Sequence, residues 1–144
     1  MARTSIYVNT MGQTEEAFRF YADVFGSQLS EIQRFGSMPA PPGAPGLPEA
    51  DLAKVLHVST EILGGTELMG TDMLESLGHE LRIGNNTTIN LQPDTHEEGL
   101  RLYERLSEGS TECVAPSAVP WGGWWGVALD RYGIRWMFSL PDPA

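Results

Sequence analysis

EEAFRFYADVFG fills positions 15–26, and EEGLRLYERLSEG at 97–109 repeats its design eighty-two residues later. Glu15, Glu16, Arg19 and Tyr21 return as Glu97, Glu98, Arg101 and Tyr103. Phe18 and Phe20 return as Leu100 and Leu102, Val24 returns as Leu106, and Gly26 and Gly109 close the two segments. Phe18, Tyr21, Ala22 and Phe25 fall at helical spacing, so the first segment reads as a helix with one buried stripe. Its two leading glutamates lie in the first turn, where the helix dipole favours carboxylates. Any two amphipathic helices share Glu, Arg and Leu, but here the match extends outward. An extended run precedes each helix, SIYVNT at 5–10 and TTINLQ at 87–92, and strand-rich sequence follows each. Such a chain reads as one unit written twice.

Taken in order, the strand at 5–10 leads to Thr14, a good N-cap residue, and Gly26 stops the helix. Leu29, Ile32 and Phe35 predict a second strand over 28–35 with an irregular middle. Five prolines and three glycines at 36–50 rule out ladder or helix and predict a surface loop. Over 52–63, Val55, His57, Ser59 and Glu61 alternate with Leu56, Val58, Thr60 and Ile62, the pattern of a half-buried strand. Gly64-Gly65 signals a hairpin into a strand at 66–69. Residues 70–84 read as the connection between halves. In the second half, Thr95 or His96 caps the helix. A strand at 112–119 is interrupted by Pro116, WGGWWG at 121–126 turns the chain, and strands follow at 125–130 and 134–140. Each half is therefore βαβββ. The expected class is α+β in a single domain spanning 1–144, with module 1 at about 1–75 and module 2 at about 85–144.

Composition limits the partners. Nineteen acidic against nine basic residues give a formal charge of −10, which argues against nucleic acid or an anionic membrane. Cys113 is the only cysteine, so no internal disulfide or cysteine-based metal framework exists, and its strand-like setting predicts a small buried hydrophobe. No apolar run approaches the roughly 18 residues of a membrane span, and the chain reads as soluble and cytoplasmic. No glycine-rich phosphate loop follows a strand and opens a helix, so no nucleotide site is indicated.

Three strings carry a family resemblance: HVSTEILGGTELMGTD at 57–72, GNNTTINL at 84–91 and PWGGWWGVALDRYGIRWMFSL at 120–140. The last holds the spacing of Trp121, Gly122, Gly126, Asp130, Gly133 and Trp136, and Tyr7 to Asn9 adds a Y-V-N start. The chain resembles the PhnB-like, glyoxalase-like branch of the vicinal oxygen chelate superfamily, which includes bleomycin resistance proteins and dioxygenases. The resemblance covers nearly the whole chain, with the proline-rich loop least typical. It implies two βαβββ modules whose curled sheets share an open cleft, a homodimer, and a small-molecule ligand. Sequences of this branch sometimes carry a ubiquinone methyltransferase label, but nothing in this chain matches a methyl-donor site.

The resemblance also implies where a metal would lie, on His and Glu from the first and last strands of each half. Carried onto this chain, those positions are Ile6, Glu67, Thr88 and Met137. Only Glu67 is a competent ligand for a hard divalent ion, and a slip of one residue offers Tyr7, Thr87 or Trp136, no better. The expectation is a chain without the usual metal and with no cofactor, one divalent ion being the alternative. His57 lies on the strand before the hairpin that carries Glu67, so the two are candidates for an acid–base pair. Tyr7, Asn9, Trp121, Trp124 and Trp125 are candidate ligand contacts, since indole rings stack on flat molecules. His79 and His96 are given no chemistry. Two functions compete: a metal-free protein that binds a planar or cationic compound, and a metal-dependent lyase, isomerase or dioxygenase, so catalysis stays open.

Overall fold

The computed structural model describes residues 1–144. The chain divides into two compact units, Met1–Arg82 and Ile83–Ala144. In the first, strand β1 (Ile6–Thr10) leads to helix α1 (Thr14–Phe25), a short β2 (Gln33–Arg34), β3 (Val55–Glu61) and β4 (Glu67–Asp72). In the second, β5 (Ile89–Leu91) leads to α2 (His96–Leu106), β6 (Glu112–Ala118), β7 (Trp124–Leu129) and β8 (Arg135–Leu140).

The sheet orders are β1-β4-β3-β2 and β5-β8-β7-β6. The first and last strands of each unit pair in parallel and the others antiparallel. The helical echo in the sequence thus marks a repeated topology: two mixed four-stranded sheets, neither closed, each covered on one face by its own helix. In the first unit, Phe18, Tyr21 and Val24 of α1 are buried together with Val58 and Leu68 of the sheet. In the second, Leu102 and Leu106 of α2 are buried with Trp136, Phe138 and Leu140. Each such side chain contributes about 1.5–3 kcal/mol on leaving water.

A close approach of helix and sheet is solved in opposite ways. In the first unit the strand supplies the small residue, since a Cβ on Gly70 would run into the Phe18 ring. In the second the helix supplies it, since a Cβ on Gly99 would run into Leu140.

Several expectations change. Thr14 is not the N-cap but the first helical residue, and Gln13 at the cap makes no side-chain bond. The capping acceptor comes from another strand: Asp72 Oδ1 accepts the N–H groups of Gly12 and Thr14, both at 3.1 Å. In α2 the expected cap holds, with Thr95 Oγ1 accepting from Glu98 N. The strand expected over 28–35 shrinks to two ladder residues with a register shift. Around it, Ser30 N and Oγ exchange bonds with the Ser59 backbone, so side-chain chemistry takes over part of the ladder. The β4 strand runs on to Asp72, past the expected end at 69. Pro116 does interrupt its strand: β6 shifts register against β7 between Val114 and Ser117. Gly126 faces that irregularity, where a Cβ would come within 2.7 Å of Pro116 N.

Candidate functional site

Strand alternation fixes which residues share the face of the first sheet that α1 leaves uncovered. Leu68 and Gly70 pair with Thr60 and Val58 on the helix side. The other face therefore carries Tyr7 and Asn9 from β1, Glu67, Met69 and Thr71 from β4, and His57, Ser59 and Glu61 from β3. Tyr7 stands opposite Met69, and Asn9 opposite Thr71.

Two groupings form there. Tyr7 Oη reaches over β4 to within 3.4 Å of His57 Nδ1, and the two rings lie 5.9 Å apart between centroids. The bond is long, so an arriving polar group can compete for either partner. With the phenol donating to Nδ1, the imidazole proton is on Nε2, and that N–H is a free donor. Tyr7 is 48% exposed, a large share for an aromatic ring on a strand.

The second grouping is acidic. Glu61 stands directly opposite Glu67 in the β3–β4 register. Like charges directly opposite destabilise a sheet. Here only Arg3 answers them, 3.3 Å from Glu67 and itself 72% exposed. The face therefore keeps a net negative charge at its hairpin end, with the two rings further along the same face.

The expected acid–base pair is not formed. Glu67 pairs with Arg3 and faces Glu61, while His57 pairs with Tyr7. His57 and Glu61 are four residues apart on one strand, roughly 13 Å at the usual rise. The sequence pattern places Glu61 on its strand but assigns no role to it or to Arg3. The signal for Glu61 was present, because the Gly64-Gly65 hairpin, closed by Ile62 N donating to Thr66 O, places Glu61 across from Glu67.

The metal positions also shift. Ile6 pairs with buried Leu68 and so belongs to the helix side, and Tyr7 is the β1 residue that shares the face of Glu67. The family resemblance placed Ile6 there, and strand parity overrules it. On this face Glu67, already paired with Arg3, has only the Tyr7 phenol from β1 beside it, a poor donor set for a divalent ion. No three His, Cys, Asp or Glu side chains are grouped so as to hold an ion anywhere in the chain.

The three candidate tryptophans lie in the second unit, around an open groove of about 340 Å³. Trp121, Trp124 and Trp125 line it with Gln92, Pro93 and Ser139. Trp121 is 83% exposed in the turn before β7. Trp124 meets His96 edge-on at 4.6 Å, and His96 Nδ1 bonds Pro141 O at 2.9 Å, a structural role. His79 is structural as well, its Nδ1 accepting from Leu74 N at 2.9 Å. Cys113 proves exposed rather than buried, because both faces of the edge strand β6 are open. Tyr103, beside it, has its phenol pushed up chiefly by burial and secondarily by Cys113.

This arrangement is the two-module fold of the glyoxalase/bleomycin resistance/dioxygenase domains, the vicinal oxygen chelate fold. Among particular proteins, the chain is 27% identical to Protein YjdN of Escherichia coli (strain K12) over 142 residues, which is 94% of this chain and 93% of that one. It superposes on PA1353 of Pseudomonas aeruginosa with TM-score 0.82, at 24% identity and 98% coverage of both chains. The PhnB protein of Bacillus cereus follows at TM-score 0.75 and 21% identity, covering 96% of this chain and 99% of that one. No protein-family model matches the chain. No helix is long and apolar enough to cross a membrane.

Proposed function

We propose that this protein binds a small planar or cationic organic molecule on the uncovered face of its first sheet, without a resident metal ion. The observation that carries the reading is Glu61 facing Glu67 across β3 and β4, with the exposed Tyr7 and His57 rings further along the same face. A cation is attracted by both features at once, by the carboxylates through charge and by the Tyr7 ring through its quadrupole. The overall charge of −10 favours the approach of such a ligand and opposes that of an anion. Asn9 and the His57 imidazole supply polar contacts that orient it.

Isothermal titration of EDTA-dialysed protein with N-methylacridinium, with benzoate as the anionic control, tests the reading. The cation binds, more tightly at low salt, and benzoate does not. Equal binding of both, or of neither, overturns it. Binding or turnover that appears only after a stoichiometric divalent metal is restored transfers the case to the metal-dependent lyase, isomerase or dioxygenase reading.

A further inference from the structure

The uncovered face of the first sheet is ordered in rows, because residues two apart on a strand point the same way and stand roughly 7 Å apart. The first row, at the hairpin, is Glu61 and Glu67. The second is Ser59, Met69 and Tyr7. The third holds Thr71 and Asn9, with His57 on β3 and Gln33 opposite it on β2. The second and third rows contain no carboxylate, lysine or arginine. Charge and ring are therefore separated along the face. Tyr7 widens the separation, since its hydroxyl leans from the second row toward the third and lies 3.4 Å from His57 Nδ1.

This separation constrains the ligand. Coulomb attraction falls in inverse proportion to distance, and salt screens exposed charges further. A charge inside a ring stacked on Tyr7 stands a full row away from the carboxylates and gains little from them. A charge carried on an arm reaches them. The carboxylates themselves favour a primary ammonium. Residues directly opposite on neighbouring strands have Cβ atoms about 5 Å apart, and the three N–H donors of one nitrogen serve two facing acids at once. Arg3 does not close the place: it holds Glu67 from an exposed side chain, and Glu61 has no ion pair. Between the charged row and the third row, the Met69 thioether and the Tyr7 ring offer a surface that suits an aromatic ring. Beyond them Asn9 and Gln33 are exposed amides, partners for a neutral polar group on that ring.

We infer that the ligand class of this face is the arylalkylamines: a flat ring rests on Tyr7 and Met69, and a primary ammonium on an arm of about three or four carbons lies between Glu61 and Glu67. The inference rests on the reading of this face as a binding site, and narrows its ligand to one that keeps plane and charge apart.

Titration of isotope-labelled, EDTA-dialysed protein, followed by NMR, tests this with two series: benzylamine, phenylpropylamine and phenylbutylamine, and the alcohols of the same arm length. Each alcohol matches its amine in ring and arm, so the ratio of the two affinities isolates the charge. That ratio is close to unity for the benzyl pair and rises to about tenfold for the propyl or butyl pair. Glu61→Gln with Glu67→Gln returns it to unity at every length, and keeps the fold because it relieves a like-charge pair. Arg3→Ala, which frees Glu67 of its competitor, raises amine affinity and leaves that of the alcohols unchanged. A ratio indifferent to arm length, a ratio that survives the double variant, or an absence of amine binding overturns the inference. N-methylacridinium, with its charge in the ring and no arm, separates the two claims. Its binding alongside a flat ratio keeps the site and overturns the arylalkylamine class. Failure of both probes overturns the reading of the face and the inference with it.

Discussion

The carboxylate of Asp72, at the end of β4, accepts the backbone N–H of Thr14, at the start of α1, across 3.1 Å. The same Oδ1 takes the Thr10 hydroxyl and the Gly12 N–H, and Oδ2 takes the Val55 N–H at 2.8 Å. One buried side chain thus closes the helix start, the end of β1 and the start of β3. Asp72→Ala leaves three backbone donors without acceptors, and urea unfolding should show a loss of about 3 kcal/mol or more. Asp72→Asn keeps one oxygen and should lose less.

Gly99 sets two principles against each other. Alanine has the better helix propensity by about 1 kcal/mol. At this position its Cβ would run into Leu140. Packing should win, with Gly99→Ala destabilising by about 1–3 kcal/mol. The double variant Gly99→Ala with Leu140→Ala should be less damaged than the sum of its parts, which a double-mutant cycle in denaturant measures.

Arg34, and behind it Arg19, hold the Glu15 carboxyl below its usual 4.5 through hydrogen bonds. A carboxyl depressed in the folded state stabilises the fold above its unfolded value, and that contribution disappears as pH falls through the folded value. Glu15→Gln should therefore lower the urea midpoint at pH 7, and the gap between variant and wild type should close as pH falls from the usual 4.5 through the lower folded value. A gap independent of pH would show that the contacts matter and the charge does not.

Tyr7 offers a separation of ring from hydroxyl. Tyr7→Phe keeps the aromatic face and loses the bond to His57, so binding of N-methylacridinium should weaken only slightly. Tyr7→Ala removes the face, and Glu67→Gln reduces the charge; each should weaken binding by about tenfold, on the scale of a cation–π or close charge contact. Calorimetry at two salt concentrations should find the salt dependence reduced in Glu67→Gln alone.

The repeat could be read from α1 and α2 because helical spacing, first-turn acids and closing glycines are local features that a duplicated unit preserves. The hairpin at Gly64-Gly65 and the interruption at Pro116 were legible for the same reason: turn glycines and prolines act on the backbone where they stand. The candidate site was legible only in part. Tyr7, Asn9, His57 and Glu67 do share one face, and the tryptophans do gather around one groove. Their partners were not legible, since Arg3 meets Glu67 from outside any strand pattern.

The sequence by itself determined the order and type of elements and their doubling, because these follow from periodicity within short windows. Only the tertiary structure decided that Ile6 faces the helix, that Asp72 rather than Thr14 caps α1, and that His57 meets Tyr7 rather than Glu67. Each of these depends on strand register, and a shift of one residue reverses the face of every side chain. Register is set by pairing between residues that are distant in the chain, which no local pattern encodes.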